Sequence, residues 1–189
     1  MQLPITRQLK DATWVELDRM QSGEEEIVRS HFNAIIAEGM TYPQAGPLSP
    51  EEFADYWLKG EAFVARGCPS TLGTEAKPAK IVGAFYIKPN FPGRCGHICN
   101  AGFIVPPESR GQGLGRIMGE TMVALARDLG YRAVMYNLVF ETNTPSLKIW
   151  NTLGFREIGR IPAAAHLPDG RYVDAIMLYK SLLKDIELE

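Results

Sequence analysis

Apolar and polar positions change period along the chain, and each change marks an element. Residues 13–17 (TWVEL) are short and β-prone, a first strand. Val28, Phe32, Ile35 and Ile36 then recur at helical spacing. They give one apolar face to a helix that starts near Gln21 and Ser22 and runs to about Glu38. Glu24, Glu25 and Glu26 sit in its first turn, where negative charge suits the helix dipole, and Gly39 reads as its terminator. Residues 41–48 are a loop by composition. Ser49-Pro-Glu-Glu52 has the form of a helix start, with Ser as N-cap, Pro in the first position and Glu in the third. That helix turns Phe53, Tyr56 and Trp57 inward and stops at Gly60.

Two strands follow at 62–66 (AFVAR) and 80–88 (KIVGAFYIK), separated by a Gly-, Pro-, Ser- and Thr-rich stretch at 67–78 that reads as a surface loop. Residues 89–94 form a turn, and 97–105 form the fourth strand. Leu114, Ile117, Met118, Met122, Leu125 and Leu129 then line one face of a helix that Gly130 ends. The fifth strand, 133–140 (AVMYNLVF), is nearly all apolar, as in a central strand buried on both faces. Thr142-Asn-Thr-Pro145 caps a short helix through Leu153, ended by Gly154. Strands at 155–160 and 171–180 close the chain, with a turn signal at 166–170. The run of three strands predicts antiparallel pairing, and the strand–helix–strand unit through 98–140 predicts a parallel pair. The class is α/β or α+β with a mixed sheet. With no repeat, low-complexity tract or linker, residues 1–189 read as one domain.

Composition narrows the partners. Hydrophobic content of 46% and charged content of 22% are ordinary for a globular chain. A formal net charge of −2 gives no electrostatic footprint for nucleic acid or an anionic membrane. No stretch approaches the roughly 20 apolar residues that span a bilayer, and the N-terminal residues do not form a secretory signal. Three cysteines, an odd number, fit a reducing compartment, so a cytoplasmic location is expected.

The candidate chemistry centres on Glu108-Ser-Arg-Gly-Gln-Gly-Leu-Gly-Arg116, between the fourth strand and its helix. Glycines at 111, 113 and 115 let backbone approach a ligand closely. The helix start behind them offers unpaired amides and the positive end of a dipole. Together these form an anion site suited to phosphate or pyrophosphate. No Lys-Ser/Thr follows, which excludes a P-loop, and the glycine spacing is wrong for a dinucleotide fingerprint.

Arg110-x-x-Gly113-x-Gly115 resembles the Arg/Gln-x-x-Gly-x-Gly/Ala motif of the GCN5-related N-acetyltransferases (GNAT). Asn143-x-x-Ser146-x-x-Ile149-Trp150-x-x-x-Gly154-Phe155 resembles that family's next helix and its Gly-Phe end, and the element order matches over nearly the whole chain. The resemblance implies a mixed, mostly antiparallel sheet with flanking helices and splayed fourth and fifth strands. It implies acetyl-CoA as acetyl donor, with its pyrophosphate on Arg110, Gly111, Gln112, Gly113, Leu114, Gly115 and Arg116. The pantetheine arm would add to the strand edge at Phe103, Ile104 and Val105, with Asn143 and Trp150 nearby. Similar proteins often form homodimers, and the apolar closing strand offers a face for one.

A narrower resemblance lies in the run from Asn90 to Phe103, with Asn137-Leu-Val-Phe140 and Asn143. It is similar to the fungal N-acetyltransferases that detoxify proline analogues such as azetidine-2-carboxylate. In that group three asparagines matter, and they fall here on Asn100, Asn137 and Asn143. The implied acceptor is a small amino-acid-like amine, with Tyr42, Asn100, Asn137 and Phe140 as substrate contacts. A protein N-terminus or lysine is the rival acceptor, and a non-catalytic acetyl-CoA sensor is the rival class. Bland readings stand beside these: Asn143 as a helix cap, Asn100 as a bulge residue, Phe140 as core. Many relatives have Tyr where Trp150 stands; an indole N–H cannot protonate a leaving thiolate, so Trp150 is expected as packing or a pocket wall. Glu141 and His97 are the candidate bases. Cys95, His97 and Cys99 alternate, but structural zinc sites take four ligands from turns, so no metal is expected.

Overall fold

A computed structural model describes residues 1–68 and 80–183. The loop expected at 67–78 lies outside the described residues from position 69 onward. Among the described residues the strands are β1 (Ile5–Gln8), β2 (Trp14–Arg19), β3 (Glu61–Cys68), β4 (Ile81–Pro89), β5 (Ile98–Ile104), β6 (Ala133–Phe140), β7 (Arg156–His166) and β8 (Tyr172–Ser181). The helices are α1 (Glu25–Glu38), α2 (Pro50–Trp57), α3 (Leu114–Asp128) and α4 (Thr144–Thr152). The strands form one sheet in the order β1-β2-β3-β4-β5-β6-β8-β7. β5 and β6 run parallel and the other neighbours run antiparallel. This is the mixed, mostly antiparallel sheet that the strand order predicts.

Helices cover both faces because strand side chains alternate. Val15, Leu17, Phe63, Phe85, Ile87 and Cys99 point to one side and bury Leu114, Met118 and Met122 of α3. Val64, Ala84, Tyr86 and Ile104 point to the other and bury Phe32 and Ile36 of α1 and Phe53 and Trp57 of α2. The predicted local signals are present. Gly39 takes a left-handed conformation (φ 67°) at the end of α1, and Ser49 with Glu52 closes a capping box on α2.

Five features differ from the sequence reading. β1 was not expected: of its four residues only Ile5 is buried, so it carries no periodic signal. α1 begins later, at Glu25, and the carboxylate of Glu24 just before it accepts from Arg66. Leu129 caps α3 with 37% of its surface exposed, so the apolar face ends at Leu125. β6 is not buried along its whole length; Asn137 is half-buried and Leu138 exposed, because β5 leaves its side. The closing strand β8 lies inside the sheet between β6 and β7, so the backbone edge belongs to β7. No helix among the described residues is long and apolar enough to cross a membrane.

Candidate active site

The site follows from a break in strand pairing. β5 and β6 pair only at Ile98 with Ala133 and Cys99 with Val134. β5 continues to Ile104 and β6 to Phe140, so the two diverge into a wedge. On its other side β6 loses register with β8 between Tyr136 and Val139. Asn137 and Leu138 therefore sit where neither neighbour holds the backbone. A polar residue in an apolar strand is tolerated there, because the wedge offers partners and solvent that a closed ladder does not.

Two predicted asparagines meet in this wedge through a third. Asn90, one residue past the end of β4, holds its amide against Ile98 O at 2.8 Å, closing the hairpin to β5. Its side-chain oxygen accepts from Asn137 Nδ2 at 2.7 Å and from Asn100 Nδ2 at 3.1 Å. Its own Nδ2 donates to Asn137 Oδ1 at 2.9 Å. Sequence reading placed Asn90 in a turn. The available signal was its alternation with Lys88, which extends the β4 face that carries Lys88 opposite Asn100. Asn143 does not join this group: it caps α4, accepting from Ser146 N at 3.3 Å.

Lys88 was also missed. Its ammonium lies 4.3 Å from the Tyr56 ring centre and 4.5 Å from that of Tyr86, and donates to Tyr56 O. Burial lowers its pKa, with Lys59 adding repulsion. Tyr42 reaches over the wedge from the loop after α1. Its hydroxyl donates to Phe103 O at 2.9 Å, and its ring meets Phe32 edge-on. Burial raises its pKa well above the usual phenol range, so the group stays a neutral donor.

The glycine loop has the expected form. Gly111 and Gly113 adopt φ of 80° and 88°, which side chains rarely adopt, and Gly113 is the N-cap of α3. The amides of Arg116 and Ile117 bond Gly113 O. Those of Leu114 and Gly115 precede the first intrahelical acceptor, as at any helix start. Gly115 has a second constraint: a Cβ there would lie 3.1 Å from Ile149 of α4, so its smallness also serves helix packing. Arg110 turns its side chain away from the loop amides. It donates to Val105 O at 3.0 Å and pairs with both oxygens of Glu38 on α1. Thus Phe103 O and Val105 O, on the strand edge expected to meet a pantetheine arm, already have side-chain donors.

Trp150 is 5% exposed and packs on Phe103, Tyr136 and Phe155, with ring centres 4.9, 4.6 and 5.4 Å away. It forms a wall beneath the wedge. Phe140 is 4% exposed and packs with Leu167, Val173 and Met40 under the β7–β8 hairpin, apart from the asparagine cluster. Glu141 is held by Arg160 at 2.8 Å and accepts from Asp174 N, and His97 is exposed beside Arg94 O. Cys95 belongs to an exposed turn and Cys99 is buried on β5, so they share no strand face. Among the described residues no three His, Cys, Asp or Glu side chains converge as a metal site.

Comparison with known proteins agrees with this geometry. The Acetyltransferase (GNAT) family matches residues 35–155. The chain is 37% identical over 157 residues to N-acetyltransferase aca1 of Schizosaccharomyces pombe, covering 76% of this chain and 73% of that protein. A GCN5-related N-acetyltransferase from Kribbella flavida superposes with a TM-score of 0.79 at 29% identity, over 88% of this chain and 97% of that one. A phosphinothricin acetyltransferase from Sinorhizobium meliloti, solved in complex with AcCoA, shares the fold with a TM-score of 0.76 at 17% identity, over 88% of each chain. The wedge between parallel strands, the left-handed glycine turn capping α3 and these matches lead to one conclusion: the chain belongs to the GNAT family of acetyltransferases.

Proposed function

We propose that the enzyme transfers acetyl from acetyl-CoA to the amine of a small amino-acid-like acceptor, of the proline-analogue kind, by direct attack. The observation that carries this reading is the amide cluster in the wedge. Each Nδ2 of Asn90, Asn100 and Asn137 uses one N–H inside the cluster and keeps one. Such donors suit a carboxylate, and they bring no negative charge of their own. Lys88, opposite Asn100, adds positive potential on the same face. A carboxylate held there leaves the acceptor nitrogen free to turn towards a thioester lying along β5. The similarity of the 90–103 run to proline-analogue acetyltransferases supports the same acceptor.

In the reaction the neutral nitrogen attacks the thioester carbonyl carbon. Backbone amides of β5 polarise the carbonyl oxygen as it gains charge. The carbon–sulfur bond breaks, the nitrogen releases its proton, and the thiolate takes one up. The pyrophosphate rests on the loop amides around residues 110–116. A location in the cytoplasm fits the free thiols of Cys68, Cys95 and Cys99.

The test is a free-thiol release assay with acetyl-CoA and three acceptors: azetidine-2-carboxylate, its carboxamide, and a peptide with a free N-terminus and a lysine. The expected result is turnover of the carboxylate with kcat/KM at least about tenfold above the other two, since a site built to bond a polar group rejects analogues lacking it. Preferred turnover of the peptide would replace this reading with a protein acceptor. Acetyl-CoA binding without turnover of any amine would replace it with a sensor.

A further inference from the structure

We infer that Asn90 is a positioning residue for acceptor specificity, a role that rests on the carboxylate-recognition reading above. Asn100 and Asn137 stand on strands that no longer pair with each other at this level. Nothing in the sheet itself fixes the distance or the orientation of their amides. Asn90 supplies both. It stands on a third chain segment, anchored through its backbone amide to Ile98 O at the root of the wedge. One oxygen accepts from both neighbours, and the Nδ2 donation to Asn137 makes that contact two-point.

A two-point amide pair fixes a plane as well as a distance. If Asn137 turned by 180° about its last torsion, both contacts to Asn90 would set like against like, oxygen on oxygen and N–H on N–H. Asn90 therefore selects the rotamer of Asn137 that keeps an N–H for the wedge. Its oxygen likewise draws the Asn100 amide so that nitrogen, not oxygen, lies at the cluster. The acceptor then meets preorganised donors and need not spend binding energy ordering two side chains. Fixed donors aimed at one ligand group are also the arrangement that discriminates against isosteres lacking that group.

The test uses Asn90→Ala and Asn90→Asp in the full chain. Asp keeps the shape and the two accepted bonds but loses the donation to Asn137 and adds a negative charge. For Asn90→Ala, the acceptor KM for azetidine-2-carboxylate should rise about tenfold or more, while the acetyl-CoA KM stays within about twofold, the pattern of lost acceptor binding rather than lost fold. The preference for carboxylate over carboxamide should collapse towards unity. For Asn90→Asp that preference should invert, because the new charge repels the carboxylate alone. Equal rises in both KM values, or an unchanged carboxylate preference in both variants, would overturn the inference.

A second readout stands apart from turnover. In wild-type protein labelled with nitrogen-15 at asparagine, the side-chain amide signals of Asn100 and Asn137 should both move on Asn90→Ala, beyond the shifts of Asn143. If they do not, the positioning role falls whatever the acceptor. If they move but wild type shows no carboxylate preference, the substrate reading falls and the role of Asn90 in acceptor specificity falls with it.

Discussion

A side-chain amide donates and accepts from one rigid plane and holds no charge at any pH near neutrality. Three such groups therefore make a polar floor without the electrostatic cost of a buried carboxylate. The cysteines show how burial acts on a titratable group. Burial pushes the Cys99 thiol up to about 12, whereas Cys95 is exposed. Iodoacetamide at pH 8 should alkylate Cys95 in the folded protein and reach Cys99 only after unfolding, as read by peptide mass spectrometry. Equal labelling rates would contradict the burial. The raised acid also sets a sign. Stability is intact below the unfolded thiol pKa of about 8.5 and declines as pH climbs towards the folded value, because only the unfolded chain ionises. The Tyr42 and Tyr136 phenols, raised by burial, act in the same direction at higher pH. The midpoint of urea unfolding should therefore fall from pH 8 to pH 11, and a flat or rising midpoint would refute that account.

At the scale of elements, glycines do two separate jobs around α3. Gly113 supplies a backbone conformation, and Gly119 supplies room. A Cβ at Gly119 would lie 2.8 Å from Leu153 Cδ1 and 3.1 Å from Trp150 Cζ3, so the Leu153 side chain would have to shift. Gly119→Val should cost about 1–3 kcal/mol of stability by overpacking, measured by urea unfolding. Gly113→Ala is strained at φ 88° but faces only the flexible Lys10 side chain. It should raise the acetyl-CoA KM about tenfold with the acceptor KM little changed, since it disturbs the loop amides we propose as the pyrophosphate site. A reversed pattern, with the acceptor KM rising instead, would place the anion site elsewhere. Arg110 links these elements to α1 through Glu38, so this side chain of the loop motif serves as scaffolding.

At the scale of the molecule, Arg66 is the most buried charged residue among the described residues. It is 8% exposed and ties its own strand, β3, to two further segments: Glu24 before α1, and the Arg19 carbonyl, Glu16 and Asp18 on β2. Burial opposes ionisation of Glu24, but hydrogen bonds from Arg66 and the Gln21 amide outweigh it and lower the carboxyl pKa. The stability from this pair is present above the unfolded carboxyl value and is lost as pH falls through the lower folded one. Arg66→Ala should cost about 3 kcal/mol, because it leaves a carboxylate partly buried and unpaired. It should also flatten the acid limb of a urea-midpoint profile; an unchanged limb would remove Glu24 as its source. By itself the sequence determined what depends on neighbours within a turn or two. It specified the helix faces of α1 and α3, the capping box at Ser49, the terminators Gly39 and Gly130 and the glycine loop, because period, caps and left-handed glycines are local physics. Tertiary structure decided what depends on pairing between distant segments. It parted β5 from β6, moved β8 inside the sheet, and sent Phe140 into a core beneath the hairpin. It also drew Asn90 to Asn137, 47 positions away, because strand order and register, not spacing, determine which polar groups share an open wedge.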